Sequence, residues 1–464
     1  MVAAAGGWAV GRSTAPAALP RGMAEVELRS RDIAFYAVRA RRDPWSAADL
    51  AQLAGLVLQR ARETGNYADF RRAEAVARRS LALRLDRNGK AYLTLASSLL
   101  GQHRFSEALD AARRLCELEP DVDSYRALLA EIQLELGDYA SARATFTRVA
   151  GAWRNLAVAP RLARWAEIQG RTAEARYILE AARTEAARRA DLPREQVAWF
   201  HLRVGDLELR HGRLADAERA LRAGLAVEPG DFRLLGAMAR LEALRHRWKK
   251  AIAYGERAGP AADIATLALV GDAHAALGDT ARAEAYYEAV ERAAREKPEP
   301  FNRQWTLFRL DHGQRVPETL ALLREEIRVR RDVYGYDQLA WALSLQGDHA
   351  AARAAMAEAL RMGTRDAMLL FHAGMIERAL GSSDAASRYL RAAIDLNPFF
   401  HHTFPALARA VLDSLQAPPA TGRSPQHPRT NLREPATGPA ARRALAVVRK
   451  HRHLRHLDAP RRSG

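Results

Sequence analysis

The sequence predicts an all-α protein in which pairs of helices repeat along the chain as a solenoid. Three observations support this prediction. An alanine recurs at intervals close to 34 residues, a short turn precedes each of these alanines, and helix-forming residues flank each turn on both sides. An interval of this length is typical of arrays in which every repeat is one helical hairpin.

The recurring alanines divide the chain into repeats. Their spacings are 34, 33, 42, 34, 32, 69 and 34 residues, so the 69 spans two repeats and the 42 is one repeat with a longer connection. A small residue is needed where two helices cross, because axes about 8–10 Å apart leave no room for a larger side chain. The alanines are Ala108, Ala142, Ala175, Ala217, Ala251, Ala283, Ala352 and Ala386.

The turn before each alanine usually contains a glycine and often a residue that can cap the next helix. Gly137-Asp138 and Gly347-Asp348 are two examples. Glycine ends a helix in the left-handed conformation without the steric cost of a side chain, and Asp accepts hydrogen bonds from the first amides of the following helix. Prolines that block helix continuation close several repeats, namely Pro120, Pro229 and Pro398.

These positions resemble the tetratricopeptide repeat, in which a helix A and a helix B are joined by a short turn. One copy of its motif consists of Tyr92, Leu95, Ala96, Phe105, Ala108 and Pro120. The resemblance covers roughly residues 45 to 400, and with the repeat interval it predicts one right-handed superhelix of about ten antiparallel helix pairs. The alternative is a generic alanine-rich bundle or coiled coil, which would need a sustained apolar seam that the glycine turns interrupt.

Three segments depart from the regular repeat. Residues 46–84 predict a first, longer helix pair with a lengthened turn at Thr64-Gly65-Asn66. Around residues 305–327 the small residue is replaced by Thr319, which predicts a degenerate repeat. After Pro398, residues 401–415 predict a terminal helix that covers the last apolar face, so we expect the solenoid to extend from residue 45 to 415.

Both ends of the chain lie outside the repeats. Residues 1–30 contain a short apolar stretch without a basic start, which leaves two interpretations: a disordered leader, or the remnant of a signal anchor whose true start lies upstream. The first implies a cytoplasmic location by default, and the second a membrane-anchored or periplasmic one. Residues 416–464 are rich in proline and arginine and predict a disordered basic tail. This tail is either an uninvolved extension or a contact for nucleic acid or an anionic membrane.

Composition excludes several classes of function. The chain has a formal net charge of +17 and a single cysteine, so it forms no internal disulfide. No apolar run is long enough to cross a membrane as a helix. The sequence contains no phosphate-binding loop, no zinc-protease motif and no nucleophile elbow. We therefore predict no catalytic activity, no cofactor and no metal site.

The resemblance implies a binding surface for a protein or peptide partner. In the family, concave contacts come from helix A residues that face away from helix B. Carried over by the phase of the motif, these are Arg203, Asp206, Arg210, Arg233, Arg240, Asp272, Tyr334, Asp337, Gln338, Trp341, His372, Met375 and Arg378. The Lys–Asn set with which some relatives bind a peptide carboxylate is absent. Trp341, with Tyr334 and Met375 nearby, has the composition of a binding hot spot, or alternatively belongs to the core.

Overall fold

The computed structural model describes residues 25–296 and 301–416. Within these ranges the chain forms 22 α-helices and two short 3-10 helices, at Ala150–Ala152 and Gly259–Ala261, and no β-strand. The all-α prediction is therefore confirmed. None of the described helices is both long and apolar enough to span a membrane. The two ends whose roles were predicted above, residues 1–24 and 417–464, lie outside the described residues.

The α-helices are α1 (Glu25–Arg42), α2 (Ala47–Thr64), α3 (Tyr67–Leu83), α4 (Gly89–Gly101), α5 (Phe105–Leu118), α6 (Asp123–Leu136), α7 (Tyr139–Val149), α8 (Ala159–Ile168), α9 (Thr172–Arg188), α10 (Arg194–Arg210), α11 (Leu214–Val227), α12 (Phe232–Leu244), α13 (Trp248–Arg257), α14 (Ile264–Ala276), α15 (Thr280–Glu296), α16 (Arg303–Asp311), α17 (Val316–Val329), α18 (Val333–Gln346), α19 (His349–Leu360), α20 (Ala367–Ala379), α21 (Ser383–Leu396) and α22 (Phe404–Gln416).

Consecutive helices pack in pairs. Helix α2 packs on α3, α4 on α5, and the pattern continues to α20 and α21, with α1 before the first pair and α22 after the last. We call the first member of each pair helix A and the second helix B. Each helix A from α10 to α18 also packs on the next helix A along the chain. The A helices therefore form the inner layer of a solenoid, and the B helices form the outer layer.

Small residues occupy the crossings between helix A and helix B, as predicted. All eight recurring alanines are between 0% and 2% exposed. Glycines on the A helices meet the same requirement: a Cβ atom at Gly205 would lie 2.5 Å from Leu221, and one at Gly374 would lie 2.6 Å from Leu390. At these distances a methyl group would displace the leucine, so these two crossings are packed around glycine.

The turns adopt the left-handed conformation that their glycines predict. Gly137 has a φ of 77° and Gly347 a φ of 89°. The following residues cap helix B, because Asp138 accepts a hydrogen bond from the amide of Ser141 and Asp348 accepts one from the amide of Ala351, both at 3.1 Å. In two repeats a histidine, His103 or His246, takes the positive φ instead of glycine.

Two element boundaries differ from the prediction. Helix α1 begins at Glu25, inside the predicted leader, because it buries Ile33 against the first pair and bonds Arg29 to Glu63 at 3.2 Å. The last helix begins at Phe404 rather than 401, since the His401 ring accepts the amide hydrogen of Thr403 and holds the preceding residues in a bend. The degenerate repeat forms α16 and α17, with Thr319 fully buried at the crossing.

The solenoid coils until A helices meet loops that lie six helix pairs further along the chain. At the end of α6, the amide of Arg331 donates to the carbonyl of Leu136 at 2.9 Å. At the end of α8, the hydroxyl of Thr364 donates to the carbonyl of Ile168 at 2.6 Å. At the end of α10, the Asn397 side chain donates to the carbonyls of Leu209 and Arg210, both at 3.0 Å. These bonds enclose the concave side, and we call the space bounded by the A helices the lumen.

Glycines at the ends of these A helices permit the approach. A Cβ atom at Gly137 would overlap the backbone of Arg331, and one at Gly170 would overlap the carbonyl oxygen of Gly363. Gly347 has the same conformation in a later repeat, but nothing lies within 4 Å of its Cβ position. In the middle repeats the turn glycines therefore adopt the left-handed conformation and also leave room for a distant loop. Gly347 only adopts the conformation.

We expect Ala217→Phe to destabilise the solenoid by roughly 1–3 kcal/mol, because a ring at this buried position overpacks the crossing of α10 and α11. The control is Ala215→Phe, two residues earlier on the exposed face of the same helix. The measurement is chemical unfolding followed by circular dichroism. Equal effects of the two substitutions would contradict the predicted crossing.

We expect Gly137→Ala to loosen the contact between α6 and the loop before α18. Alanine in the left-handed conformation costs roughly 1–2 kcal/mol at either glycine, so Gly347→Ala is the matched control. Only Gly137→Ala should also increase the radius of gyration, because the loop at Arg331 must move away. Small-angle X-ray scattering and unfolding measurements on both variants check this, and unchanged dimensions for Gly137→Ala would count against it.

Candidate functional site

A cavity of about 590 Å³ lies in the lumen. The helices α10, α12, α14 and α16 supply one wall, and residues 400–404 before α22 supply the opposite wall. Its volume falls in the range of about 300–1,000 Å³ that is usual for ligand sites. Its lining combines apolar and charged side chains, among them Leu202, Asp206, Phe232, Arg233, Arg240, Asp272, Leu307, Asp311, Met368, Phe400, His401 and Phe404.

Three arginines of the lumen share one carboxylate, that of Glu167 on α8. Arg210 donates to it at 2.6 Å, while Arg164 and Arg203 lie 3.7 and 3.8 Å from it. Burial alone would raise the pKa of Glu167, but these guanidinium groups lower it to about 2. The Nε atom of Arg203 is buried and has no hydrogen-bond partner among the described residues. Asp206 on α10 also attracts Arg203 and Arg210, so acidic and basic side chains are intermixed here.

Arg240 on α12 lies next to this group and lines the cavity. Within residues 25–296 and 301–416 its side chain forms neither an ion pair nor a hydrogen bond. Burial lowers the pKa of its guanidinium below the usual value, and attraction from Asp206 offsets only part of this. An arginine in this position is a donor without an acceptor, facing a space that a ligand could occupy.

The other end of the cavity is a network around Asp272 on α14. One of its carboxylate oxygens accepts a hydrogen bond from the Tyr287 hydroxyl at 2.9 Å and lies 2.8 Å from Nε2 of His312. The other oxygen lies 3.5 Å from His402. Burial alone would lower the pKa of His312, but the Asp272 carboxylate raises it to about 9. This network ties residues 400–404 to the A helices.

Asp311, at the end of α16, also lines the cavity. Its Oδ1 atom is buried and has no hydrogen-bond partner in the described part of the chain. Burial raises the pKa of this carboxyl to about 7, although the nearby His372 and His312 act in the opposite direction. Asp311 is therefore an acid that changes its charge close to neutral pH.

The first six predicted site residues lie together in the lumen. Asp206, Arg233, Arg240 and Asp272 line the cavity, and Arg203 and Arg210 belong to the group around Glu167. Arg233 is held by Glu195 on α10 at 2.7 Å. The six side chains therefore share one region of the lumen, and their role in binding a partner stays a prediction.

The remaining seven predicted residues lie on α18 and α20. Trp341 is 9% exposed, its ring stacks on His372 with centroids 4.5 Å apart, and it packs in the core with the buried Met375. Of the two placements that the sequence left open for Trp341, the structure has the core one. Its position in the helix directs the ring between neighbouring A helices rather than into the cavity.

The other members of this group mostly contact neighbouring helices. Asp337 lies 2.8 Å from Nδ1 of His372, and Gln338 accepts a hydrogen bond from Thr306 at 2.7 Å. The guanidinium of Arg164 lies over the ring of Tyr334. Arg378, the last of the seven, is half-buried on α20.

Several lumen residues were not among the predicted site residues. Glu167 and Asp311 add carboxyl groups to the lumen, and His401 and His402 line the cavity. Burial lowers the pKa of both histidine rings. The adjacent histidines are visible in the sequence, but their position opposite α14 depends on the coiling of the whole array. Asp311 lies in the degenerate repeat, where the motif gives no phase. In the described ranges, no group of three or more His, Cys, Asp or Glu is arranged to hold a metal ion.

We expect Asp311→Asn to change the pH dependence of stability. A carboxyl whose pKa rises from 3.8 to about 7 on folding contributes stability that is complete below pH 3.8 and is lost as the pH rises through 7. The variant should therefore be more stable than the natural chain at about pH 8, by up to about 4 kcal/mol, with most of the difference gone at about pH 4. Urea unfolding at both pH values measures this.

The control for this prediction is Asp110→Asn, because Asp110 is exposed on α5. It should alter stability little at either pH. A difference between Asp311→Asn and the natural chain that is the same at both pH values would contradict the assigned titration.

Comparison with known proteins agrees with this architecture. Family models described as tetratricopeptide repeat match residues 93–157, 202–263, 338–399 and 264–297. No curated protein sequence matches the chain.

The solved structures similar to this chain include a tetratricopeptide repeat protein from Parabacteroides merdae, with 16% identity and a TM-score of 0.33, covering 57% of this chain and 100% of the other. Pseudomonas aeruginosa pilF has 19% identity and a TM-score of 0.35, covering 48% and 96%. Yeast Tom70 has 12% identity and a TM-score of 0.33, covering 79% and 88%. On these matches, its repeat interval and its helix pairing, the chain is built of tetratricopeptide repeats at residues 93–157, 202–297 and 338–399.

Proposed function

We propose that this protein is a non-catalytic interaction scaffold that binds a segment of a partner protein in its lumen. Tetratricopeptide repeats generally mediate interactions between proteins, so a partner protein is the first expectation for any exposed helix A surface. The observation that carries the proposal is the cavity of about 590 Å³ between α10–α16 and residues 400–404. It combines apolar surface with charged groups, as a site for amino-acid side chains requires.

Two features of the cavity favour a short peptide segment over a broad protein surface. The contacts between A helices and later loops enclose the lumen, which restricts access to a narrow chain. Apolar side chains such as Leu307, Met368 and Phe404 face polar groups such as Arg240 and Asp311 across the same space. An extended segment can place alternate side chains against both kinds of surface.

Filling the cavity should weaken binding without disturbing the fold. Ala265 is exposed on α14 and lines the cavity, so Ala265→Trp places a ring in the space that the partner would occupy. Peptides selected from a random display library on the full chain should bind this variant at least about tenfold more weakly. The measurement is the dissociation constant of each selected peptide by fluorescence anisotropy.

The matched control is Ala253→Trp, because Ala253 is exposed on α13, the helix B of the preceding repeat. Selected peptides should bind it as they bind the natural chain. If they bind Ala265→Trp equally well, or if neither tryptophan changes their affinity, the binding surface lies outside the lumen and the proposal fails.

A further inference from the structure

The lining of the cavity carries more acidic than basic charge. Of its three charged basic side chains, Arg233 is already paired at 2.7 Å with Glu195, which lies outside the lining. His312 is paired with Asp272 at 2.8 Å, which leaves Arg240 as the third. The acidic side chains of the lining are Asp206, Asp263, Asp272, Glu284 and Asp311. Negative charge is therefore in excess around the cavity at neutral pH.

Several of these carboxyl groups have no cation of their own. None of the described side chains forms an ion pair or a hydrogen bond with Asp206, and the buried Oδ1 atom of Asp311 has no donor in the described part of the chain. Asp263 has only uncharged donors, the amide of Thr266 at 2.8 Å and the Gln304 side chain at 2.9 Å. A carboxylate away from bulk water is normally balanced by a cation, because its lost hydration is otherwise not compensated. The cavity therefore fits a ligand that carries basic groups.

The chain itself contains a segment of matching chemistry. Residues 417–464 contain eleven Arg and Lys residues against Glu434 and Asp458. Within this segment, residues 440–457 combine basic and apolar side chains without an acidic one, and we call them the basic stretch. Its basic residues are Arg442, Arg443, Arg449, Lys450, Arg452 and Arg455, and its larger apolar residues are Leu445, Val447, Val448, Leu454 and Leu457. The lining offers the complementary set, carboxyl groups beside apolar side chains such as Phe404.

The basic stretch begins close enough along the chain to return to the cavity. Residues 400–404 form one wall of the cavity, and α22 leads from there to Gln416. A helix of 13 residues is about 20 Å long, whereas the 23 residues between Gln416 and the basic stretch span up to roughly 75 Å when extended. Because both belong to one chain, the stretch is present at the cavity at an effective concentration on the order of millimolar. A separate ligand of equal affinity competes only at a comparable concentration.

We propose that the basic stretch occupies the cavity of its own chain, with basic side chains on Asp206 and Asp311 and apolar side chains against Leu307 and Phe404. Arg240, which faces the same space, then donates hydrogen bonds to backbone carbonyls of the stretch. This inference rests on the proposed function, because it names the segment that a partner must displace from the lumen. The stretch regulates access to the binding site, and partner segments that are both basic and apolar compete with it best.

The first test is zero-length carbodiimide crosslinking of the full chain, which joins a lysine amine to a carboxylate that it contacts. Lys450 is the only lysine in the last third of the sequence, so its crosslinks identify where the basic stretch lies. We expect mass spectrometry to find Lys450 joined to carboxylates of the cavity lining, such as Asp206 and Asp311, within a single chain.

Ala265→Trp fills the cavity and should remove these crosslinks, whereas its matched control Ala253→Trp should keep them. Circular dichroism confirms that both variants remain folded. A mixture of isotope-labelled and unlabelled chains identifies crosslinks that join two molecules. If Lys450 is joined only to carboxylates outside the lining, or only to those of a second molecule, the inference is overturned.

The second test measures competition in the full chain. A fluorescent peptide with the sequence of residues 440–457 is titrated with the natural chain and with a neutral variant, in which Gln replaces the six basic residues of the stretch. The neutral variant leaves the cavity open and should bind the peptide at least about tenfold more tightly than the natural chain does. Equal affinities would show that the natural cavity is open, against the inference.

The control for the neutral variant replaces the arginines of the same segment that lie outside the basic stretch. They are Arg423, Arg429, Arg433, Arg461 and Arg462. This control retains the basic stretch and should bind the peptide as weakly as the natural chain does. If it binds the peptide as tightly as the neutral variant, the net charge of the segment and not the basic stretch is responsible, and the inference is wrong.

The acidic side of the contact is tested in the neutral variant. Asp206→Asn should weaken the 440–457 peptide by about tenfold, as loss of a charged hydrogen bond implies. Asp110→Asn removes the same charge from the exposed face of α5 and should leave the affinity unchanged. Equal weakening by the two substitutions would mean that overall charge attracts the peptide, which contradicts binding at the cavity.

Two further outcomes separate this inference from the function on which it rests. If Ala265→Trp weakens the library-selected peptides, but the natural chain and the neutral variant bind those peptides equally, the lumen binds peptides and its occupation by the basic stretch is wrong. If Ala265→Trp changes the affinity of neither the selected peptides nor the 440–457 peptide, the proposed function itself fails.

Discussion

The close approach of the A helices to loops six pairs later is the constraint on which the rest of the structure depends. At its tightest point the backbone of Arg331 bonds to that of Leu136, and only a glycine at position 137 leaves room for it. Without this approach the concave side would be an open groove, and residues 400–404 would not face α14. The position of residues 400–404 against the cavity follows from it.

Solenoid proteins are usually held together by contacts between neighbouring repeats, so their stability is approximately a sum of local terms. This chain adds hydrogen bonds between residues more than 180 positions apart, at Thr364 and Asn397 among others. Such contacts couple the middle of the array to its C-terminal end. Disturbing the last pairs should therefore also affect α8 and α10.

The sequence predicted the helix pairs, their turns and their small crossing residues, because these depend on interactions within one repeat. It could not predict the enclosure of the lumen, since Gly137 and Gly347 have the same local signature and only one of them meets a distant loop. The site was predictable in part for a related reason. Six residues from Arg203 to Asp272 reach the lumen, whereas Trp341 on α18 packs against His372 of α20 in the core.

The contacts between A helices and the loops six pairs later limit how many repeats the chain can gain or lose. In an open array a repeat can be duplicated or lost, because the neighbours simply close the gap. Here one inserted pair between α10 and α22 would carry Asn397 past its acceptors at the end of α10. Insertion or loss of a single pair in this part of the array would therefore break the contacts between α6, α8 and α10 and the later loops.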